Sequence, residues 1–153
     1  MWIIGGVVGN RYFHSKFRDV WYSTDGSNWT LSTGSAPWGA REAFGAVAHD
    51  GKIWIFGGWG ESIGYNDVWS SPDGANWIQA TASAPWSKRD GLSAVEYDGK
   101  MWLFGGADGG NYFNDVWWSA DGTSWTSATT SAPWLPRKFH SAIVHEEKMW
   151  IIG

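Results

Sequence analysis

The chain contains no cysteine among its 153 residues, so disulfide bonds and thiolate chemistry are excluded. Its four histidines form no His-x-x-x-His pair, and we therefore expect no metal site and no other cofactor. Long apolar runs are missing too, since no stretch approaches the roughly 20 residues of a membrane-spanning helix. The net charge of −4 lacks the basic excess typical of nucleic-acid binding. We accordingly expect neither a membrane nor a nucleic-acid partner.

Helical periodicity is also lacking, and in its place a block of about 48 residues occurs three times. Asp-Val-Trp falls at 19–21, 67–69 and 115–117, and Ser-Ala-Pro-Trp falls at 35–38, 83–86 and 131–134. One arginine follows each Ser-Ala-Pro-Trp, at Arg41, Arg89 and Arg137. Most of the 15 tryptophans lie at repeat positions. A period in this range is typical of solenoids, propellers and similar arrays.

Each repeat contains four short segments rich in aromatic and β-branched residues, which predicts an all-β fold. The first strand is predicted at 44–48, 92–97 and 140–145, and the second with its glycines at 1–6, 53–58, 101–106 and 149–153. The third begins at Val20, Val68 and Val116, and the fourth at Trp29, Trp77 and Trp125. Asp-Gly turns join these strands into a meander. The second strand is apolar at consecutive positions, which indicates a sheet covered on both faces. Residues 1–153 are therefore expected to form a single array.

The double glycine, Asp-Val-Trp, a later Trp and then Pro-x-x-x-Arg together resemble the kelch repeat. Gly5-Gly6, Gly57-Gly58 and Gly105-Gly106 supply the double glycine, and the likeness covers essentially the whole chain. The resemblance, to kelch proteins and to the central domain of galactose oxidase, implies a kelch-type β-propeller with three four-stranded blades per chain. The copper chemistry of galactose oxidase needs a cysteine-crosslinked tyrosine, which this chain lacks. Kelch repeats often carry a histidine three residues after the arginine, and only His140 fits that position.

Three blades are too few for a ring, because propellers close with about 4–8 blades. The chain is therefore expected to be half of a six-bladed homodimer, with a second copy as its partner, or part of a longer propeller that supplies the missing blades. Four copies of the second strand against three of each other strand favour the longer propeller.

The loops after the double glycines differ between repeats, and we expect their end of the propeller to be the ligand face. The candidate binding residues there are Arg11, Tyr12, His14, Lys16, Trp59, Glu61, Tyr65, Asn111 and Tyr112. The basic residues favour an anionic or carboxylate-bearing ligand, with a solvated loop as the alternative. The aromatic residues favour a sugar ring or a peptide, with local packing as the alternative. The repeat arginines are interpreted as structural, and Asp19, Asp67 and Asp115 as turn-bonding residues.

Three functional hypotheses remain open. The first is a non-enzymatic binding or scaffold module that presents its variable loops to a protein or glycan, as the kelch resemblance implies. The second is a kelch-type carbohydrate-active enzyme of the sialic-acid epimerase kind, with Glu42, Glu61, Asp90 and Arg11 as its candidate residues. The third is an excised or designed repeat fragment whose only property is assembly.

Overall fold

Residues 1–10 and 13–153 are described by the computed structural model of the chain, and they form thirteen strands. The strands are β1 (Trp2–Asn10), β2 (Phe13–Tyr22), β3 (Thr30–Thr33), β4 (Gly45–His49), β5 (Lys52–Phe56), β6 (Val68–Ser71), β7 (Ile78–Thr81), β8 (Ser93–Tyr97), β9 (Lys100–Asp108), β10 (Asn111–Ser119), β11 (Thr126–Thr129), β12 (Ser141–His145) and β13 (Lys148–Ile152). In this described part of the chain, no helix is long and apolar enough to span a membrane.

The strands form four antiparallel meanders, which confirms the all-β prediction. The two middle sheets have four strands each, in the orders β4-β5-β6-β7 and β8-β9-β10-β11. The first sheet holds β1-β2-β3 and the last holds β12-β13. The prediction of three four-stranded blades therefore holds only approximately. Two blades are complete, and the strands expected for a third are divided between the two ends of the array.

Neighbouring sheets pack face to face through tryptophans that recur once per repeat. Trp38 and Trp86 are 0% and 1% exposed. The ring of Trp77 meets Trp38 edge-on at 5.7 Å, and Trp125 meets Trp86 in the same way at 5.7 Å. Edge-to-face pairs of this kind add to the stabilisation from burial of the rings. Because the same contact repeats at successive interfaces, each of the two complete sheets is covered on both sides, as the apolar second strands predicted.

The turns between third and fourth strands are held by an aspartate that binds the backbone after it. The Asp73 carboxylate accepts hydrogen bonds from the N–H groups of Asn76 and Ala75, both through Oδ1, at 2.8 and 2.9 Å. These bonds, that to Asn76 foremost, lower the pKa of Asp73 to about 2. Gly74 follows with φ of 75°, a conformation that side chains rarely adopt. The same arrangement recurs at Asp25 and Asp121.

The inner ends of three sheets are joined by backbone hydrogen bonds around a common hub. The N–H of Gly91 donates to the carbonyl of Ala43 at 2.8 Å, and the N–H of Phe139 donates to the carbonyl of Gly91 at 2.7 Å. All three residues have left-handed φ values, of 55°, 61° and 61°. This chain of bonds places the segments that enter β4, β8 and β12 side by side at the axis.

Candidate functional site

An arginine clamp fixes the base of the loop face in each complete blade. Arg41 is fully buried and donates to both carboxylate oxygens of Asp67, at 2.6 and 2.9 Å. It also donates to the carbonyls of Gly57 at 2.9 Å and Gly39 at 3.1 Å, and its guanidinium carbon lies 3.9 Å from the ring centroid of Tyr65. A buried ion pair is tolerated where further hydrogen bonds satisfy its remaining donors, as they do here. The clamp therefore ties the entry of β4 to the loop between β5 and β6.

The second complete blade repeats the clamp. Arg89 pairs with Asp115 at 2.6 and 2.9 Å and lies 4.3 Å from the ring centroid of Phe113. The prediction that Asp67 and Asp115 hydrogen-bond their own turns is therefore wrong. Their carboxylates bind the guanidinium group and the indole N–H two residues on, as Asp115 does with Trp117 at 2.7 Å. A carboxylate that accepts from both groups has few lone pairs left for a turn.

A pocket of about 310 Å³ opens at the hub on the loop face. It is lined by Glu42, Ala43, Trp59, Asp90, Gly109, Lys138 and Phe139. Five of these seven residues lie one or two positions after a repeat arginine. The three residues next to those arginines are glutamate, aspartate and lysine, so equivalent positions of three blades bring different chemistry to one place. The clamp positions these residues, since it holds the backbone just before them.

Lysines from other blades neutralise both acids of the pocket. The Lys138 ammonium lies 3.1 Å from the Asp90 carboxylate, and the Lys16 ammonium lies 3.2 Å from that of Glu42. Lys138 also lies 4.9 Å from the centroid of the Phe139 ring, within the range of a cation–π contact. The pocket therefore offers aromatic surface beside charges that are already paired.

Phe139 is the most unusual residue of the pocket. Its φ of 61° is a left-handed conformation that is rare for a bulky side chain, and its side chain is 70% exposed. Strain of this kind costs on the order of 1–3 kcal/mol and persists where the surrounding structure enforces it. The bond to Gly91 at the hub enforces it here. The backbone bond thus fixes the position from which this exposed aromatic side chain lines the pocket.

The structure places the candidate residues named from the sequence in different surroundings. Arg11 and Tyr12 lie outside the described residues, as does the side chain of His14. Lys16 points inward: its side chain is 7% exposed and bonds the Gly60 carbonyl as well as Glu42. Its ammonium is therefore engaged within the protein and is not presented to an anionic ligand.

The remaining candidates divide by their distance from the pocket. Trp59 lines it, whereas Glu61, Asn111 and Tyr112 are exposed outside it, and Tyr65 is half-buried against Arg41. Glu42 and Asp90, named for the epimerase hypothesis, do line it. Lys138 and Phe139 were not recognised from the sequence. The available signal was the change of residue type directly after each repeat arginine.

Two of the three variable loops prove to be extensions of strands. β1 and β2 continue their ladder from Val7 opposite Lys16 to Asn10 opposite Phe13, and β9 and β10 continue it to Asp108 opposite Asn111. The predicted long first loop is therefore mainly a β-hairpin. The segment between Phe56 and Val68 contains isolated bridges at Trp59 in place of such a ladder. The hairpin turn at Gly109 forms part of the pocket rim.

Meandering sheets packed face to face, a common hub and one buried arginine clamp per complete blade define a kelch-type β-propeller array. A family model described as the KLHDC2/KLHL20/DRC7 Kelch-repeats domain matches residues 1–153. The chain therefore belongs to this kelch family, as the repeat resemblance implied. Domains of this type generally mediate protein interactions and are typically non-enzymatic. No curated protein gives a significant match to the sequence.

Proposed function

We propose that the chain binds an extended peptide segment of a partner protein in the hub pocket on its loop face. The observation that carries the proposal is the asymmetry of that pocket. Equivalent positions of the blades differ there in charge and size, whereas the clamps and tryptophan contacts below are nearly identical. A scaffold alone does not need such differences, but a specific binding site does.

The chemistry of the pocket suits a peptide. A volume of about 310 Å³ falls at the lower end of the range for ligand sites and accommodates one or two side chains. Trp59 and Phe139 supply apolar contact area, and rigid aromatic residues are common anchors at interfaces. Since the acids are paired with Lys16 and Lys138, few free acceptors remain for the many hydroxyls of a sugar. The family's general role in protein interactions points the same way.

Selection from a random dodecapeptide library against the purified chain tests this proposal. We expect enriched peptides whose affinity falls at least about tenfold with Trp59→Ala or Phe139→Gly, because each change removes an aromatic anchor worth roughly 1.4 kcal/mol or more. Glycine is a mild replacement at 139, since Gly91 holds the equivalent hub position with the same φ.

Tyr112→Ala provides the matched control, because Tyr112 is 51% exposed and lies outside the pocket. Peptides that bind equally well to the pocket variants would overturn the proposal, as would the absence of any enriched peptide. Binding to immobilised glycans that depends on Trp59, with no peptide selected, would transfer the site to a glycan ligand.

A second candidate, the epimerase hypothesis, is favoured by one observation: Glu42 and Asp90 line the same pocket. Exchange between the anomers of sialic acid, followed by NMR, measures this activity directly. Exchange accelerated by the chain and abolished by Glu42→Gln would support it. No acceleration over buffer would reject it.

A further inference from the structure

A serine and a histidine take the place of apolar residues at the interface between β8 and β12. β8 packs against β4 on one side and against β12 on the other. At its interface with β4, a Cβ added to Gly45 would lie 2.6 Å from Cδ1 of Leu92, so these two positions meet. Their equivalents 48 residues further on are Ser93 and His140. Both members of the contact therefore become polar together at the interface with β12.

Both polar side chains are buried without a partner. The Ser93 hydroxyl and the two ring nitrogens of His140 are covered by other atoms, and none of them has a hydrogen-bond partner within residues 1–10 and 13–153. A buried polar group in this state costs free energy that a hydrogen bond recovers. The His140 ring is confined, because its Cε1 lies 3.2 Å from the position of a Cβ added to Gly105. The small serine side chain can change rotamer more readily, and its hydroxyl can donate to an unprotonated ring nitrogen.

The two side chains flank the backbone hydrogen bond that holds Phe139 at the pocket. The N–H of Phe139 donates to the carbonyl of Gly91 at 2.7 Å. Ser93 follows Gly91 by two residues, and His140 follows Phe139 directly. A bond between Ser93 and His140 would tie the same two chain segments a second time, through side chains as well as backbone.

We propose that Ser93 and His140 form a hydrogen bond across this interface that positions Phe139 in the pocket, and that a proton on His140 breaks the bond and weakens peptide binding. This inference rests on the peptide binding proposed above. The bond needs a neutral imidazole, because a protonated ring has no nitrogen left to accept from the hydroxyl. Histidine is also the side chain whose charge changes most readily between pH 5 and 8.

The surroundings of His140 oppose its protonation. At the level of the ring, β8 contributes Ser93 and β9 contributes Gly105, and neither carries a charge. The charged residues of the neighbouring segments form internal ion pairs, Arg89 with Asp115 and Lys138 with Asp90. Burial, and to a smaller extent the charge of Arg137, lowers the pKa of His140 below its usual value. Once a proton binds, the ring is a buried cation, and the side chain gains by moving towards water.

Replacing the pair by the residues of the other interface tests the bond without any ligand. At pH 7.5, Ser93→Gly and His140→Leu should each lower the midpoint of urea unfolding, because each leaves one buried polar group that has lost its partner. The double variant Ser93→Gly/His140→Leu should unfold at a higher urea concentration than either single variant, since it removes both groups and restores the pairing seen between Gly45 and Leu92. Losses that simply add in the double variant would overturn the proposed bond.

The pH dependence of peptide affinity tests the regulation. For a selected peptide without histidine or acidic residues, the Kd of the unaltered chain should rise at least about fivefold from pH 7.5 to 5.0, and one proton limits the rise to about tenfold per pH unit. His145→Gln, at an exposed histidine, should keep this profile. In Ser93→Gly/His140→Leu the Kd should vary by less than about twofold over the same range, because the titrating group is gone. By reciprocity, saturating peptide should lower the pKa of His140 measured by NMR.

These measurements separate the regulation from the function on which it rests. A Kd of the unaltered chain that does not change with pH would overturn the regulation, as would a double variant that keeps the full change. If no peptide is selected, the proposed function and its regulation fail together. The unfolding of the double variant then still decides whether Ser93 and His140 are bonded.

Discussion

The turn between β12 and β13 holds two side-chain-bearing residues in left-handed conformations. Glu146 and Glu147 have φ of 48° and 54°. The corresponding turn between β8 and β9 has Asp98 and Gly99, with φ of 52° and 67°. A two-residue hairpin turn of this type needs positive φ at both positions, which glycine adopts without steric cost. The glutamate at 147 is therefore a local source of strain.

Glu147→Gly is expected to stabilise the protein by about 1 kcal/mol, the usual cost of a side chain in this conformation. The midpoint of urea unfolding measures the effect, and it should shift upward at unchanged slope. The reverse change, Gly99→Glu, should lower the midpoint by a similar amount. An unchanged midpoint in both variants would show that these turns carry no strain.

His140 is a second residue with an unusual environment, and this environment changes the pKa of its side chain. It is 7% exposed, and neither ring nitrogen finds a hydrogen-bond partner among the described residues. Burial, and then the nearby charge of Arg137, lower its pKa. The equivalent positions hold Phe44 and Leu92, so the site accepts an apolar side chain.

His140→Leu is expected to flatten the loss of stability on mild acidification. In the unaltered protein the unfolded state binds a proton near pH 6.5, whereas the folded state does so only at lower pH. The free energy of unfolding therefore falls as the pH drops below about 6.5. Urea unfolding at pH 7.5 and 5.5 should show a smaller difference in the variant. His145→Gln, at an exposed histidine, should behave like the unaltered chain.

At the scale of the element, the turns between third and fourth strands dock onto the preceding blade. Gly122 lies against the indole of Trp54, and an added Cβ there would overlap that ring. The carbonyl of Gly122 also accepts a hydrogen bond from the Thr81 hydroxyl at 3.0 Å. The turn is thus part of the interface between the two complete blades as well as a connection within one of them.

Gly122→Ala is expected to destabilise the protein by about 2–4 kcal/mol, from the overlap with Trp54 together with a φ of 74°. Gly99→Ala is the matched control, because its φ is 67° but no atom lies within 4 Å of an added Cβ. It should cost only about 1 kcal/mol. Equal losses in the two variants, measured by urea unfolding, would refute the proposed contact.

The strands could be predicted from the sequence where a turn motif and a neighbouring apolar run define them locally. The Asp98-Gly99 turn and the apolar run after it predicted the start of β9, because an Asp-Gly pair between apolar segments is a strong signal for a β-hairpin. The same sequence did not show that β9 would run on to Asp108 and pair with Asn111. That extension depends on the Gly109-Gly110 turn, and this dipeptide was interpreted as part of a loop.

At the scale of the whole molecule, the pocket could be predicted less well than the strands, because its lining residues come from segments that are far apart in the sequence. Glu42, Asp90 and Lys138 are about 48 residues apart, and they meet only because the hub brings three blade entries together. The sequence placed the candidate site at the end of the propeller where the pocket opens, but it favoured the longer loops of that end. Phe139 was overlooked since its conformation comes from the bond to Gly91, which is a contact between blades.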